Sequence, residues 1–303
     1  PEQVARFNRL AGKPGQWVAT VQKFSRGGEA FTGRERWKQP LLARTLREIA
    51  AEGRQGFYEG WVAESIAREM SRGGGLMSLD DLKRYESVWR DPVRTSYRGY
   101  DIWSMGPPSS GGILIAQILN MLEPFNLGAM GWGSARLTHL VVEAERRAYA
   151  DRSVHLGDPD FWEVPTAKLM DVNYARERMK DFDPERATLS RELAAGQWAD
   201  ESEDTTHYSL IDKDGMMVAI TTTLNSSFGS QLVIPGTGIL MNNEMDDFSA
   251  QPGVPNQFGL LGAEANAIQP MKRMLSSMTP TLVTRDGAPF LITGSPGGST
   301  IIT

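Results

Sequence analysis

The period of the hydrophobic residues changes once along this chain, near residue 205, and that change limits the folds open to it. Before it, apolar residues recur at helical spacing. Leu42, Leu46 and Ile49 mark one helical face, and Val62, Ile66 and Met70 mark another. Asp80 and Asp81 place acids in the first turn of a short helix, where the helix dipole favours them. Ile113 to Leu122 is apolar nearly all round, as in a helix buried on every side. Leu137, Leu140, Val141, Ala144 and Ala148 mark one more amphipathic helix. From Thr206 onward, short alternating runs take over. The runs 206–211 and 216–224 flank Asp212-Lys213-Asp214-Gly215, and the runs 279–284 and 289–293 flank Arg285-Asp286-Gly287. Both are hairpin signals. Helices and then strands, with no Pro/Gly/Ser linker between them, predict one layered α/β (α+β) fold.

Composition narrows the chemistry. The chain has 303 residues, a formal charge of −5 and no cysteine. Mild acidity argues against nucleic acid as a partner, since such proteins carry a basic face. The absence of cysteine excludes a disulfide scaffold, a cysteine nucleophile and cysteine-ligated metals. No run of about 18 apolar residues exists, so no membrane span is predicted, and no signal peptide opens the chain. Pro1 begins abruptly and Thr303 follows a Gly-rich turn, so the chain is expected to be a piece of a longer protein. His139, His155 and His207 are scattered without metal-ligand spacing, so no metal site is expected. No Gly-x-Ser-x-Gly elbow, His-Glu-x-x-His pair or P-loop occurs. Asn225-Ser226-Ser227 fits a glycosylation sequon, read here as accidental. Residues 189–204 are the one expected flexible link, because Asp200, Glu201, Glu203 and Asp204 repel one another with no base nearby.

The first hairpin can be registered from its pattern. Tyr208 and Leu210 point one way on the first strand; Thr205, His207 and Ser209 point the other. Val218 and Ile220 form the greasy set on the second strand, with Ala219, Thr221 and Thr223 opposite. A one-residue slip would exchange every face. Matching greasy to greasy pairs Tyr208 with Ile220 and Leu210 with Val218. That register needs the loop Lys213-Asp214-Gly215, whose last residue is left-handed, as glycine permits. It also sets Thr205 opposite Thr223, two hydroxyls facing each other at the open end of the hairpin.

Other polar groups gather nearby in sequence. Asn225 lies just beyond Thr223. Asn242, Asn243, Glu244, Asp246 and Asp247 form a dense cluster, Ser276 and Ser277 follow Lys272-Arg273, and Gly294-Ser295-Pro296-Gly297-Gly298 follows a strand. Glycines after a strand leave N–H groups open to an oxyanion. Taken singly, the acids could cap a turn or hold a cation, and the glycines could simply turn the chain. Together they would suit a zwitterion with a reactive carbonyl: carboxylates for its ammonium, hydroxyls for its carboxylate.

Thr205-Thr206-His207-Tyr208-Ser209, Asp246-Asp247-Phe248-Ser249, Leu275-Ser276-Ser277-Met278 and Gly294-Ser295-Pro296-Gly297-Gly298, in that order, resemble the γ-glutamyltranspeptidase family. Pro107-Pro108-Ser109-Ser110-Gly111-Gly112, Tyr149-Ala150-Asp151-Arg152 and Leu156-Gly157-Asp158-Pro159 are similar to its large-subunit motifs. The resemblance runs from about residue 20 to the end. It implies an N-terminal-nucleophile (Ntn) hydrolase with a four-layer αββα sandwich, incomplete in this chain. It implies a precursor cut between Asp204 and Thr205. Residues 1–204 would then be the C-terminal part of a large subunit, and 205–303 the N-terminal part of a small one, forming together one catalytic domain. Thr205 would be the nucleophile and Thr223 its orienting partner. Asn225, Glu244 and Asp247 would hold the α-amino group of a γ-glutamyl donor, Ser276 and Ser277 its α-carboxylate, and Gly297 and Gly298 the oxyanion. Phe258, within 252–263, would belong to a lid. No cofactor is implied. The expected partners are glutathione and other γ-glutamyl compounds, with amino acids or dipeptides as acceptors and a periplasmic or secreted location. The family's carboxylate-binding arginine lies upstream, in a segment not contained here. Two rivals stand beside this reading: a related acylase acting on glutaryl or other acyl amides, and a non-enzymatic, calcium-stabilised binding protein using the acids of 242–247.

Overall fold

The computed structural model describes residues 2–12, 17–189, 205–257 and 259–303. The acidic stretch 199–204, with Asp204, and the expected lid residue Phe258 therefore lie outside the described residues. The chain forms two compact units, residues 1–89 with 227–243, and residues 90–226 with 244–303.

The first unit is helical: α1 (Glu2–Ala11), α2 (Val18–Phe24), α3 (Pro40–Glu52), α4 (Gln55–Tyr58), α5 (Gly60–Gly73) and α6 (Leu79–Arg84). The stripe Val62–Ile66 is fully buried in α5, as its spacing requires. Gly74 ends that helix in the left-handed conformation (φ 75°), its N–H reaching the carbonyls of Met70 and Ser71. Ser78 and Asp81 form a capping box that starts α6. In α3 the stripe differs from the expected one. Leu46 is 56% exposed, while Thr45 is buried and donates its hydroxyl to Thr237 O at 2.8 Å. A hydrogen bond within the same unit takes the place that a leucine was expected to fill.

The second unit carries the sheets and the candidate site. It contains β1 (Val93–Tyr97), β2 (Tyr100–Ser104), α7 (Gly111–Leu122), α8 (Ala135–His155), α9 (Thr166–Leu169), α10 (Val172–Arg178), β3 (Thr205–Ile211), β4 (Met217–Thr223), β5 (Thr281–Arg285) and β6 (Ala288–Thr293). Strands β1-β2-β5-β6 form one antiparallel sheet, and β3-β4 form a second. In the first, Asp101–Ser104 pair with Thr281–Thr284. The hairpin β1-β2 lies in the half that reads as helical. Its two-residue turn, Arg98-Gly99, has φ of 50° and 83°, the signature of the tight hairpin turns that match strand twist. Helix α7 lies against β1 and β2, and β3 and β4 lie against β5 and β6. Helix, sheet and sheet thus follow one another, in the mixed α+β class expected. Ile113, Leu114, Met121, Leu140, Ala144, Ala148 and Leu156 form the core between α7 and α8. Burying each large side chain there is worth about 1.5–3 kcal/mol.

Candidate active site

Strands β3 and β4 pair in the expected register, with Thr205 opposite Thr223, Tyr208 opposite Ile220 and Leu210 opposite Val218. Gly215 takes φ 88° in the connecting loop. The polar face is the one turned inward. Tyr208 and Leu210, on the other face, are 45 and 56% exposed. The His207 ring packs against Gly294, where an added Cβ would come within 2.2 Å of it. Thr205 Oγ1 donates to Thr223 Oγ1 at 3.4 Å, and Thr223 Oγ1 accepts the Asn225 N–H at 3.0 Å. Asn225 itself is left-handed (φ 73°) and buried. The chain thus doubles back beside the threonine pair, and the sequon asparagine is closed to solvent.

Glu244 and Asp247 sit at the two ends of a single 3₁₀ turn, Glu244–Asp247. Residues i and i+3 eclipse in that helix, so the two carboxylates share one face, while Met245 between them is exposed. Burial pushes both acids up to about 7. The charge of Asp247 adds to the effect on Glu244; at Asp247 the Arg152 guanidinium opposes burial and Asp246 reinforces it. Two carboxylates left half-neutral at pH 7 form a site that gains strongly when a cation arrives.

The serines are set by the Pro-Pro-Ser-Ser-Gly-Gly segment that opens α7. Ser276 N donates to Pro108 O at 2.8 Å, and Ser276 O accepts from the Ser110 N–H at 2.9 Å and the Ser110 hydroxyl at 2.9 Å. A Cβ on Gly111 would lie 2.0 Å from Thr279 Oγ1, so only glycine lets the helix start this close. Arg152, at the end of α8, donates Nε to Ser110 Oγ at 3.0 Å and Nη2 to Ser277 Oγ at 3.1 Å.

These groups meet in one cavity of about 30 Å³, lined by Arg152, Thr205, Thr223, Asn225, Glu244, Asp247, Ser276, Ser277 and Gly298, together with Asn256, Leu260, Leu275, Met278 and Ile301. Gly297 is not among the lining residues but directly precedes Gly298; both have positive φ, 127° and 50°. Asp204 and Phe258 lie outside the described residues. Sequence reasoning left Arg152 without a role. Its signal was available: Leu140, Ala144 and Ala148 recur every four residues on the buried stripe of α8, and the next position is an arginine that is itself only 6% exposed. Among the described residues, no three His, Cys, Asp or Glu side chains converge to hold a metal. Among them, too, no helix is long and apolar enough to cross a membrane.

Residues 2–303 match the Gamma-glutamyltranspeptidase family model. The chain is 51% identical over 281 residues to the glutathione hydrolase proenzyme of Escherichia coli (strain K12), covering 92% of this chain and 48% of that protein. It is similar to the crystal structure of a cephalosporin acylase from Bacillus halodurans, with TM-score 0.78 and 26% identity over 96% of this chain and 50% of that one. It is also similar to Helicobacter pylori γ-glutamyltranspeptidase, with TM-score 0.60 and 39% identity over 63% of this chain and 55% of that one. The chain therefore belongs to the γ-glutamyltranspeptidase family, within the Ntn-hydrolase class. It spans about half the length of the curated relatives it matches.

Proposed function

We propose that this chain carries the catalytic part of a self-processing γ-glutamyltransferase that also acts as a glutathione hydrolase. The observation that carries the reading is the convergence of a threonine pair, two half-buried carboxylates and two serines on one cavity. Cleavage of the Asp204–Thr205 bond would free the Thr205 α-amine, and such amines titrate at about 7.7–8.0, near enough to neutrality to act as a base. That amine takes the proton of Thr205 Oγ1 as the oxygen attacks the γ-carbonyl of the donor. The resulting oxyanion is held by N–H groups of Gly297 and Gly298, each donor being worth about 2.7–4 kcal/mol. Collapse expels the leaving amine, which receives the proton from the α-amine, and leaves a γ-glutamyl ester on Thr205. Water, an amino acid or a dipeptide then attacks the ester, with the same amine as base. Glu244, Asp247 and Asn225 hold the donor's ammonium, and Ser276 and Ser277 its carboxylate. The large and small portions would remain together as one catalytic domain, in a periplasmic or secreted protein.

The test is intact mass and N-terminal sequencing of the full-length protein and of Thr205→Ala. The parent is expected to show a new terminus at Thr205, and the variant neither cleavage nor turnover. A variant that still splits in two sinks the assignment. A second reading, an acylase for glutaryl or related amides, is favoured by the likeness to the cephalosporin acylase. It keeps the Thr205 chemistry but gives Glu244 and Asp247 no cation to bind, and a comparison of γ-glutamyl with glutaryl anilides separates the two.

A further inference from the structure

Arg152 is a buried cation in the last turn of α8, where the helix dipole favours positive charge. Burying a guanidinium is costly unless its N–H groups find acceptors. Two of them meet hydroxyls, and both hydroxyls belong to the serine side of the pocket. Nε reaches Ser110 Oγ at 3.0 Å, and Nη2 reaches Ser277 Oγ at 3.1 Å. These two N–H groups form one edge of a planar fork, so a single rigid group fixes both serines.

The direction of these bonds decides what the serines can do. A guanidinium has donors and no acceptor, so Ser110 Oγ and Ser277 Oγ can only accept from it. Ser110 passes its own hydrogen to Ser276 O at 2.9 Å. Ser276 Oγ accepts the Met278 N–H at 3.0 Å. Each of the two cavity-lining serines thus takes an N–H bond from the protein. Among the described residues, neither of their hydroxyl hydrogens meets a protein acceptor. A hydroxyl held in this way offers its hydrogen to whatever enters the cavity. Accepting from a cation also makes Ser277 a stronger donor, because hydrogen bonds in a chain polarise one another. The ligand group that suits such a pair is an anion.

The same guanidinium acts on the acids across the cavity. Its charge opposes the effect of burial on Asp247, which Asp246 reinforces, while Glu244 feels the charge of Asp247. Charge and shape are therefore separable at Arg152. Any cation at this position serves the carboxylates, whereas the serines need the two-point fork.

We infer that Arg152 is a positioning residue for donor recognition: it holds Ser277 directly, and Ser276 through Ser110, with their hydroxyl hydrogens presented to the donor's α-carboxylate. The inference rests on reading the pocket as a γ-glutamyl site.

The experiment uses the full-length, processed protein and three anilides. Relative to γ-glutamyl anilide, 4-aminobutanoyl anilide lacks only the α-carboxylate, and glutaryl anilide lacks only the amino group. Arg152→Lys keeps a cation and loses the fork. The kcat/KM ratio of γ-glutamyl to 4-aminobutanoyl anilide is expected to fall about tenfold, as a charge-assisted bond is lost. The ratio of γ-glutamyl to glutaryl anilide should stay within about twofold, because the charge beside Asp247 remains. In a Ser277→Ala background the same lysine change should lower the first ratio by less than about threefold, since residues that act through one another are not additive. Ser110→Ala leaves the arginine in place and frees one prong; it should lower the first ratio about threefold, the loss of one modest hydrogen bond. If Arg152→Lys does not mature, Ser110→Ala decides by the same two ratios. A first ratio at the parent's level overturns the inference, and so does an equal fall in both ratios, which marks general distortion. A full tenfold loss in the Ser277→Ala background shows Arg152 meeting the carboxylate itself and overturns the positioning role. A processed parent that turns over no γ-glutamyl amide overturns the functional reading, and the part of Arg152 with it.

Discussion

Lowering the pH from 8.5 to 5.5 should erase the pocket's preference for a donor with an α-ammonium. Glu244 and Asp247, raised by burial to about 7, must be ionised to attract that cation. At pH 5.5 each is then only about 3% ionised. If one charge suffices, selectivity falls by a factor of about 30; if both are needed, by up to about 1,000. The assay is the ratio of kcat/KM for γ-glutamyl anilide to that for glutaryl anilide, which differ only in the amino group. The Thr205 amine titrates in both reactions, so its effect cancels. The logarithm of the ratio should climb with a slope between about 1 and 2 below pH 7 and level off above pH 8. A ratio constant across this range would refute the role given to the two acids. The same acids carry a stability signature of opposite sign. Their folded-state values exceed the ordinary 4.5 and 3.8, so the unliganded fold binds more protons than the unfolded chain between about pH 4 and 7. Their contribution is therefore fully present at low pH and lost as pH rises through about 7. A γ-glutamyl ligand, bringing its ammonium, should restore it, visible as a ligand-induced rise in Tm that grows with pH.

Two substitutions probe the supporting geometry. Thr223→Ala removes the partner of Thr205 Oγ1 and an acceptor of the Asn225 N–H, and should slow self-cleavage about fivefold, the loss of about 1 kcal/mol. A gel time course reads the rate; donor KM should stay within about twofold, and equal maturation rates in variant and parent would count against the pair. Gly111→Ala drives a methyl to 2.0 Å from Thr279 Oγ1, so the parent's Tm should drop in line with about 1–3 kcal/mol of overpacking. Donor KM should rise as well, because Ser110 next door carries Ser276; an unchanged Tm would show that the close approach is not needed.

What could be read in advance was whatever a single stretch of chain encodes. Greasy and polar sets alternating on 205–211 and 217–223 admit one register that satisfies both strands, and that register alone brings Thr205 to Thr223. The stripe of α5 and the all-round apolar α7 were equally local. The β1-β2 hairpin was missed because it lies among helical segments and its turn, Arg98-Gly99, lacks the usual asparagine or aspartate. Leu46 was misplaced because Thr45 finds its carbonyl partner about 190 residues away, at Thr237. The outward turn of Tyr208 and Leu210 depends on which face of the hairpin meets β5 and β6, and alternation alone does not choose between faces. In the site, the eclipsing of Glu244 and Asp247 needed knowledge of a 3₁₀ turn, and Arg152 needed α8 to end beside Ser277.

The ladder between β2 and β5 gives the proposed scission an unusual character. Asp101–Ser104 precede the cut and Thr281–Thr284 follow it, yet they are adjacent rungs in the middle of one sheet. Breaking the chain at 204–205 therefore divides the polypeptide without parting the structure. The two fragments have to fold while still joined, at the high effective concentration that one continuous chain provides. Unfolding after the cut turns that unimolecular search into a bimolecular one. A processed molecule that melts should thus regain its shape far less readily than its uncut precursor, so maturation would trade reversibility for a new amino terminus.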